Sequence, residues 1–201
     1  DVYKRQINRI TLEDVYSKKF LNEKDVKNFL DKIRNSKIIP KNTDEFFEAN
    51  VGNKLANLFF RPYTEKMWGV SPKKLSTNVG SRLPIRTNED DRYFNDDFQA
   101  LPKHGYTKMI QSMLDHENIH LKLNTEYQKG MEEDYLHAFL CTPIDEYYDY
   151  KYGVLPYRSI IFHDKKEIND DFPAPVINFT DDSCFTRKTQ WNLLPNSYGK
   201  I

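Results

Sequence analysis

Glycine-rich phosphate cradles are missing from this chain. Neither G-x-G-x-x-G nor G-x-x-x-x-G-K-[ST] occurs around its seven glycines, and G-x-S-x-G and H-E-x-x-H are missing as well. Those absences exclude, within these 201 residues, a dinucleotide or Walker-type loop, a serine-hydrolase elbow and a zincin helix. Cysteine is scarce: Cys141 and Cys184 stand far apart without metal-ligand spacing, which reads as a reduced, cytoplasmic chain. No run approaches the ~18 apolar residues of a membrane span, and no signal-peptide pattern opens the sequence. Neither sign of charge dominates, since Lys+Arg 30 balances Asp+Glu 30. A broad field for nucleic acid or an anionic membrane is therefore excluded, although local positive clusters could serve a small phosphate ligand. Aliphatic residues are also few, with 38% hydrophobic residues and a mean hydropathy of -0.78.

Aromatics at 14% offset that shortage, because each buried ring removes a large apolar area from water. The thirteen tyrosines bring hydroxyls suited to a polar cleft, or serve as amphipathic surface and core residues. The five histidines (104, 116, 120, 137 and 163) show no ligand arrangement. His116 and His120 are four apart, but Asn118 and the start of an extended segment intervene, so no metal is expected. The carboxylate clusters Glu89-Asp90-Asp91, Asp96-Asp97 and Asp181-Asp182 read as solvated turns.

The order of elements predicts an α+β fold. Residues 10–36 place Ile10, Leu12, Val15, Phe20, Val26, Phe29, Leu30 and Ile33 at helical intervals, and Pro40 ends that segment. Thr43 is expected to cap a second helix with Asp44 and Glu45 in its first turn, and Gly52 to divide it in two. Pro62 suits the first turn of a helix that Gly69 closes. A polar loop at about 78–90 follows, then a helix at about 104–115. Strands are expected at His120–Leu123, Leu136–Thr142, Tyr157–His163 and Val176–Thr180, in a mainly antiparallel sheet. The expected domains are thus a helical one, 1–92, and a mainly antiparallel one, 93–201. Asp1 to Gln6 fits nothing downstream, and both ends are read as cut from a longer chain.

Arginine is scarce beside lysine but concentrated. Arg82 and Arg86 flank Pro84, Arg92 follows, and Arg158 and Arg187 sit by expected strands. A guanidinium is planar, permanently charged and able to grip phosphate oxygens two at a time, so convergent arginines would form a diphosphate clamp. Each alone is equally compatible with a surface ion pair. The stretch FFRPYTEKMWG, residues 59–69, crowds Phe59, Phe60, Tyr63 and Trp68 into three helical turns with Thr64 among them. That arrangement offers stacking faces and hydrogen-bonding edges to a planar base, or else a helix-packing core.

Taken together these segments resemble the UDP-galactopyranose mutase family. FFRPYTEKMWG is similar to its F-x-x-Y-T-x-K-x-W-G signature, and SRLPIRTNEDDRYFNDDFQALPKHGYTKM (81–109) to its R-[IV]-P-x-R…YF…Q…P-x-G-Y-T block. TPIDEYYDYKYGVLPYRSIIF (142–162), VINFT (176–180) and FTR (185–187) resemble three further stations in the family's order. The resemblance implies the middle part of an FAD-dependent Rossmann-type enzyme. It implies an isomerase (intramolecular transferase) that interconverts UDP-galactopyranose and UDP-galactofuranose by nucleophilic catalysis with reduced FAD, supplying galactofuranose for cell-wall or surface polysaccharide. Its partner would be UDP-galactose, with no nucleic acid and no membrane, and the resemblance leaves room for a homodimer.

Carried across by motif, Arg82, on a mobile loop closing over the diphosphate, and Arg187 would act in catalysis. Phe59, Phe60, Tyr63, Thr64, Trp68 and Asn178 would hold the uridine side, Tyr93 would donate to phosphate, and Arg158 would be a pocket or structural residue. Thr142 and Pro143 are the positions that would approach FAD. Departures stand beside these matches: the family's T-G-P-I-D is Thr142-Pro143-Ile144-Asp145, one glycine short, Lys151 replaces an Arg, and Gln190 an acidic residue. With the N-terminal flavin motif missing, this fragment alone is expected to be inactive. A non-catalytic UDP-sugar-binding relative and a plain interaction module are the alternatives.

Overall fold

The computed structural model describes residues 7–81, 85–90, 92, 95–166 and 175–194. The chain divides into two bodies, Asp1–Ala100 with Asp164–Ile201, and Leu101–His163.

The first body is built on four helices: α1 (Arg9–Tyr16), α2 (Glu23–Ile33), α3 (Thr43–Leu55) and α4 (Arg61–Trp68). The first three start with an asparagine in extended backbone whose side chain accepts an N–H three residues on: Asn8 from Thr11, Asn22 from Asp25 and Asn42 from Glu45. This is the N-cap arrangement, which satisfies an otherwise orphaned donor of the first turn. The cap of α3 is therefore Asn42, one residue before the expected Thr43. Thr43 is instead the first helical residue, buried, and its hydroxyl donates to the Ser76 carbonyl at 2.6 Å. Glu45 completes the cap by accepting from the Lys41 backbone at 2.8 Å and from Asn42 Nδ2 at 3.1 Å.

Gly52 interrupts α3 as expected, with φ 78 and ψ 165. Two facts require glycine there. The positive φ disfavours a side chain, and a Cβ would lie 2.2 Å from the Ile33 carbonyl oxygen at the end of α2. The helix resumes through a π-helical turn, Ala56–Phe60, whose bond from Arg61 N–H to the Ala56 carbonyl spans five residues. Pro62 then falls in the first turn of α4, and Gly69 closes it in the left-handed region with φ 67. Arg61 ties α4 back to α3 through Asp44 and Asn53.

The core of this body is one cluster: Ile7, Leu12, Phe20, Val26, Leu30, Phe47, Val51, Leu55, Ala56 and Phe60. Each fully buried aliphatic or aromatic side chain contributes roughly 1.5–3 kcal/mol relative to exposure. Ile7 also bridges Ile85 in parallel fashion. With Arg86 N–H donating to the Ile7 carbonyl at 2.7 Å and Arg9 N–H to that of Asn88 at 2.9 Å, the far end of the polar loop is pinned. Asp90 adds to the anchor by accepting from Arg92 and Arg86, contacts that lower its carboxyl to about 2. At the near end, Gly80 lies against the Phe46 and Phe47 rings.

The sheet has two antiparallel strands, β1 (Val176–Asn178) and β2 (Arg187–Thr189), with Asn178 opposite Arg187. The α+β class therefore holds with a smaller sheet than expected. His120–Leu123, Leu136–Thr142 and Tyr157–His163 form no strand. A strand exists only as half of a ladder, and these segments find no pairing edge among the described residues.

In the second body, α5 (Gly105–Leu114) realises the expected helix, and α6 (Ile144–Tyr147) is a single turn. Asp145 organises the following turn by accepting from the Leu155 backbone at 2.9 Å. Tyr127 and Tyr147 stack at 6.3 Å and both donate to Glu132. No described residue of this body is buried, and Leu136, Phe139 and Phe162 all face solvent.

Candidate functional site

The site is assembled where α4 meets the β1–β2 hairpin. Pro62 and Gly69 set the length of α4, and spacing of three and four distributes its side chains. Phe60, Thr64 and Trp68 form one row running from core to surface. Phe60 is buried and stacks on Phe47 with centroids 5.2 Å apart, Thr64 is buried, and Trp68 is 46% exposed. Phe59 is half-buried and packs against the core cluster. Tyr63 and Lys66 lie on the neighbouring row and reach the hairpin.

Asn178 is the meeting point. It is 5% exposed, and its side-chain oxygen accepts from Arg187 Nε at 2.9 Å and from the Tyr63 hydroxyl at 3.5 Å. Two donors on one oxygen orient the amide so that its NH2 faces away from both. Neither hydrogen bond nor ion pair engages that NH2 among the described residues. Arg187 is exposed and uses only Nε in this contact, so its two terminal nitrogens carry no partner there either. Trp68 has no ring partner among the described residues. An open guanidinium fork, an amide donor and an exposed indole are the groups that a diphosphate and a planar base require.

Of the expected site residues, Phe59, Phe60, Tyr63, Thr64, Trp68, Asn178 and Arg187 lie in this body, and Tyr63, Asn178 and Arg187 share one hydrogen-bonded cluster. Arg82 and Tyr93 lie outside the described residues. Arg158, Thr142 and Pro143 belong to the second body, and all three are exposed. Among the described residues no group of three or more metal-ligating side chains occurs. Nor is any described helix long and apolar enough to cross a membrane.

Lys66 is the residue that sequence reasoning passed over. Its ammonium donates to the carbonyls of Phe179 at 3.3 Å and Phe185 at 3.1 Å, and lies 3.5 Å from Asp181. Asp181 is held below the usual carboxylate range first by hydrogen bonds from Ser183 and then by Lys66. A signal was available: Lys66 occupies the lysine of the F-x-x-Y-T-x-K-x-W-G pattern.

Comparison with known proteins gives these contacts a family. The model of the UDP-galactopyranose mutase family matches residues 58–200, which is more than half of the chain. The chain therefore belongs to the UDP-galactopyranose mutase family. It is 40% identical over 152 residues to a Klebsiella pneumoniae protein named "Probable UDP-galactopyranose mutase", covering 75% of this chain and 40% of the relative. It is 35% identical over 159 residues to the dTDP-fucopyranose mutase of Escherichia coli, covering 75% and 42%. Against the UDP-galactopyranose mutase of Mycoplasma pneumoniae the identity is 31% over 147 residues, covering 67% and 37%. The chain thus spans about 40% of the length of the curated relatives it matches. The relatives' names describe mutases acting on hexopyranoses carried by a nucleoside diphosphate.

Proposed function

We propose that this chain supplies the nucleoside-diphosphate-binding part of a sugar mutase that interconverts UDP-galactopyranose and UDP-galactofuranose. The observation that carries this reading is the convergence of Arg187 and Tyr63 on Asn178, which leaves the Arg187 fork and the Asn178 amide open.

In this reading Trp68 and Phe59 offer aromatic faces to the uracil, and Asn178 donates to an oxygen of the nucleotide. Arg187 grips the diphosphate with its two terminal nitrogens. Cleavage of the bond between sugar and diphosphate leaves negative charge on the departing UDP, so a fixed guanidinium binds more strongly as the bond breaks. Its removal from the intact enzyme would raise the barrier by on the order of 3 kcal/mol. Arg82 is assigned to the same diphosphate, Tyr93 to phosphate donation and Arg158 to the pocket, each on the family pattern alone.

The flavin chemistry implied by the family does not find its cradle in these residues. Thr142 and Pro143 are exposed, Pro143 opens a helix of only four residues, and no glycine separates the pair. A pyrophosphate cradle needs backbone N–H groups aimed from a glycine-rich turn into a longer helix. The residues present therefore do not fit tight FAD binding, and no step is routed through it. The same observation favours sugar-nucleotide binding without turnover as the activity of this chain by itself.

The test is a titration of UDP into the chain bearing Trp191→Phe, so that Trp68 reports alone. Saturable quenching by UDP, weaker with uridine, is the expected result. No response to UDP up to millimolar concentration overturns the reading.

A further inference from the structure

We infer that Lys66 is the positioning residue of this site, holding the β1–β2 hairpin on α4 so that Asn178 and Arg187 face a ligand. The inference rests on the nucleoside-diphosphate reading. A hairpin with strands of three residues is marginal in water and needs an external tie. Lys66 provides it from a side chain only 16% exposed.

The acceptors of its ammonium define what it does. Phe179 directly follows Asn178, and Phe185 stands two residues before Arg187, so the two carbonyls lie on opposite arms of the turn. One ammonium bonded to both fixes the separation of the arms at the point where they leave the site. Asp181, within the turn, supplies the countercharge, and its own orientation is set by the Ser183 hydroxyl at 2.6 Å and backbone N–H at 3.1 Å.

Three N–H groups facing three acceptors exhaust the donors of a lysine. Lys66 thus acts through the hairpin rather than as a phosphate ligand. Tyr63, one turn earlier on α4, contacts Asn178 itself. The helix therefore grips positions 178, 179 and 185 from one face, and the Asn178–Arg187 bond passes that placement on to the guanidinium.

The test combines two readouts on the full chain. Lys66→Met keeps the aliphatic stem and removes the donors, Lys66→Arg keeps the charge, and Asp181→Asn weakens the tie without touching the core. Hydrogen exchange is followed at the Phe179 amide, which donates to the Thr186 carbonyl at 3.1 Å. Affinities for UDP and uridine are measured side by side. Lys66→Met is expected to accelerate Phe179 exchange and to lower the preference for UDP over uridine by about tenfold, equivalent to one decade in Kd. Asp181→Asn should shift both readouts in the same direction by less, and Lys66→Arg should restore most of each. Unchanged exchange and an unchanged UDP-to-uridine ratio in Lys66→Met and Asp181→Asn overturn the inference. Equal loss of UDP and uridine overturns it too, since that is the mark of a general structural defect. If the parent chain binds no UDP, the nucleotide reading fails, and Phe179 exchange alone decides whether Lys66 holds the hairpin.

Discussion

The two bodies of this chain use their apolar residues in opposite ways. The first, residues 1–100 with 164–201, buries Phe20, Phe47 and Phe60 with aliphatic partners in a continuous core. The second, Leu101–His163, leaves Phe139 88%, Tyr152 88% and Phe162 79% exposed. Both stretches contain comparable apolar residues, so composition does not explain the difference. Helices do: α1, α2 and α3 satisfy their own backbone groups locally and are capped, so each can present an apolar stripe to the next. The extended segments of the second body depend on a neighbour for every backbone hydrogen bond, and without a ladder their side chains have no face to share. The core of the described residues lies among elements that need no partner for their backbone.

Core substitutions should separate the two bodies most sharply. Leu55→Ala, at a fully buried position, is expected to destabilise the first body by about 2–5 kcal/mol in urea unfolding. Phe162→Ala, in the second body, should change the same unfolding free energy by less than about 0.5 kcal/mol. A large effect of Phe162→Ala would break the comparison. Gly52→Ala comes next, expected to cost about 1–3 kcal/mol, because it imposes a Cβ at positive φ and against the Ile33 carbonyl. Differential scanning calorimetry reads that loss directly.

Asn42→Ala should cost about 1 kcal/mol by removing the cap of α3, whereas Thr43→Ser, which keeps the hydroxyl donor to Ser76, should cost less. Acid sensitivity gives the smallest effect, and in the first body it centres on Glu13 and Asp90. Glu13, bonded by the Phe20 backbone, Lys19 and Arg9, is lowered to about 2, and Asp90 is lowered to about 2 by Arg92 and Arg86. Their ionised forms are favoured by folding, so their contribution is complete above the ordinary carboxylate range and is lost as pH falls toward 2. The urea midpoint should therefore drop between pH 5 and about 2, and Glu13→Gln should flatten that drop.

Much of the first body was legible in the sequence because its signals are local. The three- and four-residue spacing located the helical stretch 10–36, although as one segment where residues 17–22 separate α1 from α2. Gly52 marked the break in α3, and Pro62 with Gly69 marked the ends of α4. The one-residue error at Asn42 has a local cause as well, since Asn and Thr are both good caps and only Thr43 is drawn away by Ser76. The strands were less legible. Tyr157–His163 and Leu136–Thr142 carry β-forming residues, but propensity does not supply the edge they would pair with. The site was half legible. VINFT and FTR were recognisable separately, while the register that sets Asn178 opposite Arg187 is a tertiary fact. Lys66 was missed because a lysine in a helix is ordinarily a solvated surface residue, and only the hairpin's carbonyls turn it into a tie.

The central claim is that Arg187, oriented by Asn178, grips the diphosphate of a sugar nucleotide. Calorimetric titration of UDP and of uridine into the chain and into its Arg187→Ala form tests it most directly. UDP affinity is expected to fall at least about tenfold, one decade being about 1.4 kcal/mol, while uridine affinity stays the same. Equal UDP affinity in both forms would contradict it.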